Sequence, residues 1–203
     1  MNHKQSGFTL IEIAIVLVII GLLLGGVLKG QELINSAKVK NLAGDFRNIP
    51  LFIYGYQDKF KALPGDDKLV TTHITGASEA TPAATLGNGV IEGAWDATGT
   101  AESHLFWQHV RLAGLAAGPT AGTDLHPTNA SGGTIGVSST SPVTGLNGTY
   151  IICSTAILGK FAKQLDITMD DGVTNTGSMI AASGTTAVSS PVDSSSYMVC
   201  MGI

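Results

Sequence analysis

Charge is scarce in this chain: only 13% of its 203 residues are Asp, Glu, Lys or Arg. Basic residues are fewest where a nucleic acid would need them. From Ala62 onward there are four, Lys68, Arg111, Lys160 and Lys163, against eleven acids, a balance of −7. Such a surface repels a polyanion, so no nucleic-acid partner is expected. Catalytic signatures are lacking as well. There is no GxSxG, HExxH or Walker loop, and "GNGVIEG" (Gly87 to Gly93) is neither GxGxxG nor set between a strand and a helix. The five histidines make no metal-ligand pattern; His104 and His109 are five apart, off a common helical face, and are expected to serve surface and packing roles. These absences exclude the enzyme classes that such motifs mark. The sequence reads as a non-enzyme with no catalytic residue, no cofactor and no metal ligand.

What the chain does have lies at its start. Phe8 to Leu28 is an apolar run of about 21 residues, long enough to cross a bilayer as a helix. One full charge, Glu12, interrupts it. The polar leader "MNHKQSG" precedes the run, and its Lys4 favours a cytoplasmic N-terminus with the rest of the chain across the membrane. A secretory signal would have a shorter apolar core followed by a small-residue cleavage site, the reverse of this order. From Lys29 to Lys61 six basic residues face three acids. Roughly 140 residues then remain, enough for one head domain.

"GFTLIE" (Gly7 to Glu12), with a basic leader before it and an apolar helix after it, resembles the processing site of type IV prepilins and type II secretion pseudopilins. The resemblance is strongest over residues 5 to 30. It implies cleavage between Gly7 and Phe8 by a prepilin peptidase, N-methylation of Phe8, and a mature chain that starts there. It also implies that Glu12 serves assembly, meeting the amino terminus of a neighbouring subunit. A carboxylate at membrane depth needs a partner or a task, and cleavage creates an α-amino group one helical turn away. The alternative is that Glu12 sits at headgroup level. One departure from the family is Lys29, where pilins commonly have proline. Gly21, Gly25, Gly26 and Gly30 offer small surfaces for helix packing and weaken the helix locally; the alternative is a membrane span that simply tolerates glycine.

Beyond the apolar run, Leu42, Phe46, Ile49, Ile53, Tyr56, Phe60 and Leu63 follow steps of four and three in one stripe. The stripe suits a coiled-coil seam or the face on which a head packs, and the sheet-forming region that follows favours the second. Pro50 is expected to kink this helix without ending it, and "LPGDD" (Leu63 to Asp67) to stop it. A short amphipathic helix is expected over Glu102 to Leu115, strands over Tyr150 to Cys153 and Tyr197 to Met201, and a helical turn or two over Ala156 to Asp166. The Gly-, Ala-, Ser- and Thr-rich stretches 113–148 and 181–196 read as exposed loops. The expected fold class is α+β: a long N-terminal membrane-spanning and amphipathic helix packed on a small, loop-rich antiparallel β head, as in type IV pilins. Its parts are a leader (1–7), a transmembrane or filament-core helix (8–28), an amphipathic helix continuing into the head (29–63) and the head itself (64–203).

Cys153 and Cys200 each fall in an expected strand, and on the oxidising side of a membrane they are expected to form a disulfide; two buried thiols are the alternative. Asp66, Asp67, Asp170 and Asp171, with Asn88, have the oxygens for calcium, which some pseudopilins bind, but no EF-hand spacing, and turn chemistry accounts for them equally. Asn129 and Asn147 head glycosylation sequons. The resemblance implies a subunit stored in the inner membrane with a periplasmic head, then assembled into a periplasmic pseudopilus or a surface pilus. Its partners would be the peptidase, membrane lipid before assembly, an inner-membrane assembly platform, and copies of itself or other pilins. The competing reading is a minor or tip subunit that acts as a binding module for secretion, adhesion or DNA uptake.

Overall fold

The computed structural model describes residues 9–203. Helix α1 spans Leu10–Phe60 and is followed by α2 (Val70–His73), α3 (Glu102–Leu112), β1 (Ile135–Ser138), β2 (Ile151–Leu158), α4 (Gly159–Met169), β3 (Met179–Ser183), β4 (Thr186–Ala187) and β5 (Ser196–Gly202). The chain forms two compact units, Met1–Ala37 and Lys38–Ile203. The fold class is α+β, a long apolar helix and a five-stranded antiparallel sheet.

The second unit is organised by the helical stripe. Leu42, Phe46, Ile49, Ile53 and Tyr56 are all at most 2% exposed, the burial that a period of 3.6 produces when one helix face meets a core. The helix runs through Pro50. It ends three residues before the expected stop because Lys61 turns left-handed (φ 56°) while still donating its N–H to Gln57 O. That is a helix C-terminal turn made without glycine.

The sheet runs β1-β2-β5-β3-β4, with antiparallel pairing throughout. Its side chains alternate between two cores. Ile135, Val137, Ile152, Ile157, Met179, Ala181, Val199 and Met201 join the α1 stripe, together with Phe106 and Val110 of α3 and Phe161 and Leu165 of α4. Ile151, Cys153, Ile180, Ala182 and Cys200 pack on the other face with Val143 and Leu146. With both faces covered, β2 and β5 lack strict polar alternation and are marked by the apolar runs Ile151–Cys153 and Tyr197–Met201. Cys153 and Cys200 are register partners on the second face, and their sulfurs are bonded.

Two sequence expectations are corrected here. The stretch 113–148 contains β1, and 181–196 contains most of the β3–β4 hairpin, so neither is simply an exposed loop. Gly136 in β1 has no room for a side chain, because a Cβ there would strike the Trp95 carbonyl. In the hairpin Gly184 takes a left-handed φ of 61° at the first of two turn positions, a two-residue connection that needs glycine. A third correction concerns α3: every residue from Glu102 to Arg111 is buried, so the helix is not amphipathic against solvent. Helix α4 is also longer and later than expected, eleven residues ending at Met169.

Candidate assembly site

Gly7 and Phe8, the expected cleavage and methylation positions, lie outside the described residues. The site is visible from Thr9. Its Oγ1 accepts the Glu12 N–H at 3.3 Å, while Glu12 Oε2 accepts both the Thr9 N–H and the Thr9 hydroxyl at 2.8 Å. This is a reciprocal cap in which two otherwise unpaired groups at a helix start satisfy each other. The carboxylate also lies in the first turn, where the helix dipole favours an anion. Sequence reasoning weighed the charge of Glu12 and missed its spacing: Thr-Leu-Ile-Glu has the S/T-x-x-E pattern of a capping box. Among the described residues, Oε1 of Glu12 carries no hydrogen bond.

From Ile13 to Leu28 the helix is apolar on all sides. Leu10 is 88% exposed and Leu22 73%, and the most apolar 18-residue window has mean hydropathy 2.8 with none of it buried within the chain. A helix with no polar face must meet lipid or other apolar helices. A Cβ at Gly21, Gly25, Gly26 or Gly30 would meet nothing within 4 Å, so the backbone is approachable at all four. Lys29, at the family's proline position, is helical and pairs with Glu32 at 2.6 Å, an exposed pair one turn apart.

Among the carboxylates that sequence reading weighed for calcium or turns, Asp66 and Asp67 lie buried in hydrogen-bond networks, and Asp67 makes the expected turn bond to the Leu69 N–H. Asp66 is 2% exposed. It accepts the N–H groups of Gly87, Asn88 (3.3 Å) and Gly89 (2.8 Å). Gly87 and Gly89 have φ near 80°, so "GNG" forms a nest of amides around an internal anion. Asp67, 1% exposed, accepts from the Tyr56 hydroxyl (2.9 Å), His73 Nδ1 (2.7 Å) and Leu69 N–H (2.9 Å). These bonds tie the segment after α1 to the end of the helix. They border a cleft of about 530 Å³ lined also by Phe60, Lys61 and Tyr150. Asn129 is 6% exposed, with its amide donating to Ser154 Oγ and Thr155 O at 2.7 Å, which makes it a structural residue and a poor glycan acceptor.

The histidines of α3 are packing residues, in the core and not at the surface. His109 Nδ1 accepts the Gly65 N–H at 2.9 Å and its Nε2–H donates to Ser78 O at 2.8 Å, so the ring is neutral and joins two loops. His104 donates from Nδ1 to Gly99 O (2.7 Å) and accepts the Leu125 N–H at Nε2 (3.1 Å). His104, Asp124 and His126 come within reach of one another, a grouping that sequence spacing did not reveal. With both His104 nitrogens engaged, that grouping is held by hydrogen bonds.

Burial pushes His109 below its ordinary value of 6.5, more strongly than the Ser78 carbonyl and the Asp67 charge pull it up. The unfolded chain therefore takes up this proton first. The contribution of His109 to stability is whole above pH 6.5 and is withdrawn as pH falls toward the lower folded value. Ring resonances of His109 should titrate at a lower pH in the folded protein than in the urea-unfolded chain, which titrates near its ordinary value. A folded midpoint at or above 6.5 would contradict the neutral, two-bonded ring.

Against known families, the prokaryotic N-terminal methylation motif matches residues 2–28. This motif is the mark of prepilin-type signals, so the resemblance seen in "GFTLIE" is sound over that segment. Together with the apolar helix it identifies a membrane-anchored, prepilin-type N-terminus. No curated protein and no solved structure matches the chain.

Proposed function

We propose that the chain is the precursor of a type IV pilin-like filament subunit. Prepilin peptidase cuts it between Gly7 and Phe8 and methylates Phe8; the apolar helix holds it in the inner membrane with its head in the periplasm, and an assembly platform then moves the helix into a filament core of like subunits. The observation that carries this reading is the segment Ile13–Leu28, apolar on every side and exposed throughout, beside the methylation motif at residues 2–28. A core helix of a soluble domain would be buried on at least one face. A signal peptide would not continue without a break into a buried stripe of the folded domain, as α1 does from Leu10 to Phe60.

The chemistry in this reading is association. Apolar helices leave lipid for one another, with van der Waals packing at the glycines and a charge contact at Glu12 supplying specificity. The head, with its negative balance and its clamped loops, supplies the filament surface. Mass spectrometry of the mature protein tests the first step. The expected amino-terminal residue is Phe8, heavier by one methyl group; assembled protein that begins at Met1 would overturn the proposal.

A further inference from the structure

Beside the buried stripe of α1 runs a second line of residues. Asp45, Asn48, Ile49 and Phe52 follow steps of three and four, on the shoulder between the buried face and solvent. The chain that leaves α3 and the start of β1 stand opposite them. Between the two sides lies a cleft of about 340 Å³, at the small end of the range of roughly 300 to 1,000 Å³ for ligand pockets. Its apolar wall is made by Ile49, Phe52, Trp107, Pro127 and Ile135. A polar hollow that shares Asp45, Asn48 and Thr128 continues it along α1 toward Lys40.

Two side chains of opposite charge border this cleft, and neither is spent on the other. Asp45 makes no hydrogen bond among the described residues, and burial holds its carboxyl above the ordinary 3.8. Arg111, 8% exposed, gives its Nε–H to the Ala117 carbonyl (3.3 Å) and its Nη1 hydrogens to the carbonyls of Pro119 (2.8 Å) and Leu125 (2.6 Å). A guanidinium has five N–H groups, so the two on Nη2 are left without a partner among the described residues. Burial alone pulls Arg111 below its ordinary value, with no carboxylate to oppose it. The Trp107 ring, 5.7 Å from the guanidinium, balances that charge only in part. A desolvated charge without a counterion is costly, and each of these two lacks one.

We propose that the cleft binds a small zwitterion with an apolar body, of the class of free α-amino acids. Its ammonium meets Asp45, its carboxylate takes the Nη2 hydrogens of Arg111, and its side chain rests on Ile49, Phe52 and Ile135. Both polar contacts are charge-assisted, and the apolar wall keeps water from competing for them. An amine without a carboxylate would balance Asp45 and leave Arg111 as it is; a carboxylic acid without an amine would do the reverse. The charge of the head also disfavours a free anion, since residues from Ala62 onward sum to −7, whereas a zwitterion has no net charge to be repelled. All the lining residues belong to the second unit. The site therefore does not rest on the filament reading.

The test uses the full chain purified in detergent and titrated at neutral pH with L-leucine, L-valine and L-phenylalanine to millimolar concentration. Isoamylamine, which is leucine without its carboxylate, and isocaproate, which is leucine without its ammonium, are run in parallel. The expected result is one leucine per chain by calorimetry, with a change in the Trp107 indole resonance. Each analogue should bind at least about tenfold more weakly, as loss of one charge-assisted contact implies. Asp45→Asn removes a side chain that holds nothing else, so it should melt as wild type does. It should weaken leucine by about tenfold and bind isocaproate no worse than the wild-type chain. Arg111 is kept intact, because its carbonyl bonds hold the loop after α3. Absence of heat and of any resonance change with all three amino acids would overturn the site. Isoamylamine binding as tightly as leucine would remove the carboxylate contact, and leucine affinity unchanged in Asp45→Asn would remove the ammonium contact. Either result overturns the assignment to a zwitterion.

Discussion

Opening the Cys153–Cys200 bridge lowers the unfolding free energy of the second unit by about 4 kcal/mol, the chain-entropy value for a closed loop of this length; the two cysteines are 47 positions apart. They join β2 and β5, the strands at the middle of the sheet. Everything between them in sequence, α4 and the β3–β4 hairpin included, is a single excursion that must return to register. The bond restricts that excursion in the unfolded chain, and its loss restores the freedom that folding must then remove. Both sulfurs are fully buried among Val143, Leu146, Ile151 and Ile180, so the native fold shields them from reductant. Denaturant unfolding of the oxidised chain should therefore have a clearly higher midpoint than unfolding in reductant. Cys153→Ala/Cys200→Ala should follow the reduced curve, with a small further loss from the missing sulfur atoms. Thiol labelling of denatured, unreduced protein should give no signal. Coincident midpoints for oxidised and reduced chains would show that the bridge adds nothing to stability.

How far the fold was legible in the sequence depended on how large its buried side chains are. The α1 stripe could be read because Leu42, Phe46, Ile49, Ile53 and Tyr56 are large and repeat at the helical period against a polar background. Strands β2 and β5 could be read in part because "IIC" and "MVCM" are apolar without a break, the pattern of a sheet covered on both faces. Strands β1, β3 and β4 were hidden because the space there admits only small residues. The Trp95 carbonyl faces Gly136, and Ala181 and Ala182 are buried on opposite faces of β3. Such residues have the composition of a loop. Burial of α3 was hidden for a different reason: its polar side chains bond to backbone groups far away in sequence, His109 to Gly65 and Ser78, Arg111 to the carbonyls of Pro119 and Leu125. No local pattern announces such partners. The candidate site divides the same way. The spacing of Thr9 and Glu12 carries the pattern of a capping pair but was passed over for the charge, whereas Asp66 takes its amide partners from Gly87 and Gly89, too far along the chain for any local pattern to announce.

Glu12→Gln is expected to insert in the membrane, to be cleaved after Gly7, and to fail at filament entry. The reasoning starts from the cap. Glu12 Oε2 accepts from Thr9 N–H and Thr9 Oγ1, and glutamine has an oxygen in the same place that accepts the same bonds. The substitution therefore preserves the helix start while removing the charge. Glutamine is also easier to insert in a bilayer than glutamate, so weaker anchoring would not account for a loss. In the proposed assembly, what disappears is the attraction between the carboxylate and the methylated amine of a neighbouring subunit, in a filament core from which apolar side chains would exclude water. Removing one partner from such a desolvated pair leaves the other charge uncompensated, and incorporation should fall by about a hundredfold. Thr9→Val separates the two roles of the carboxylate. It removes the hydroxyl from the cap and leaves Glu12 charged, so it should fray the helix start slightly and leave incorporation near normal. The measurement is made twice on the same cells, as the processed fraction in membranes and as the amount in sheared filaments. Glu12→Gln at normal levels in both fractions would leave the capping box as the whole role of Glu12 and remove the charge contact from the assembly mechanism.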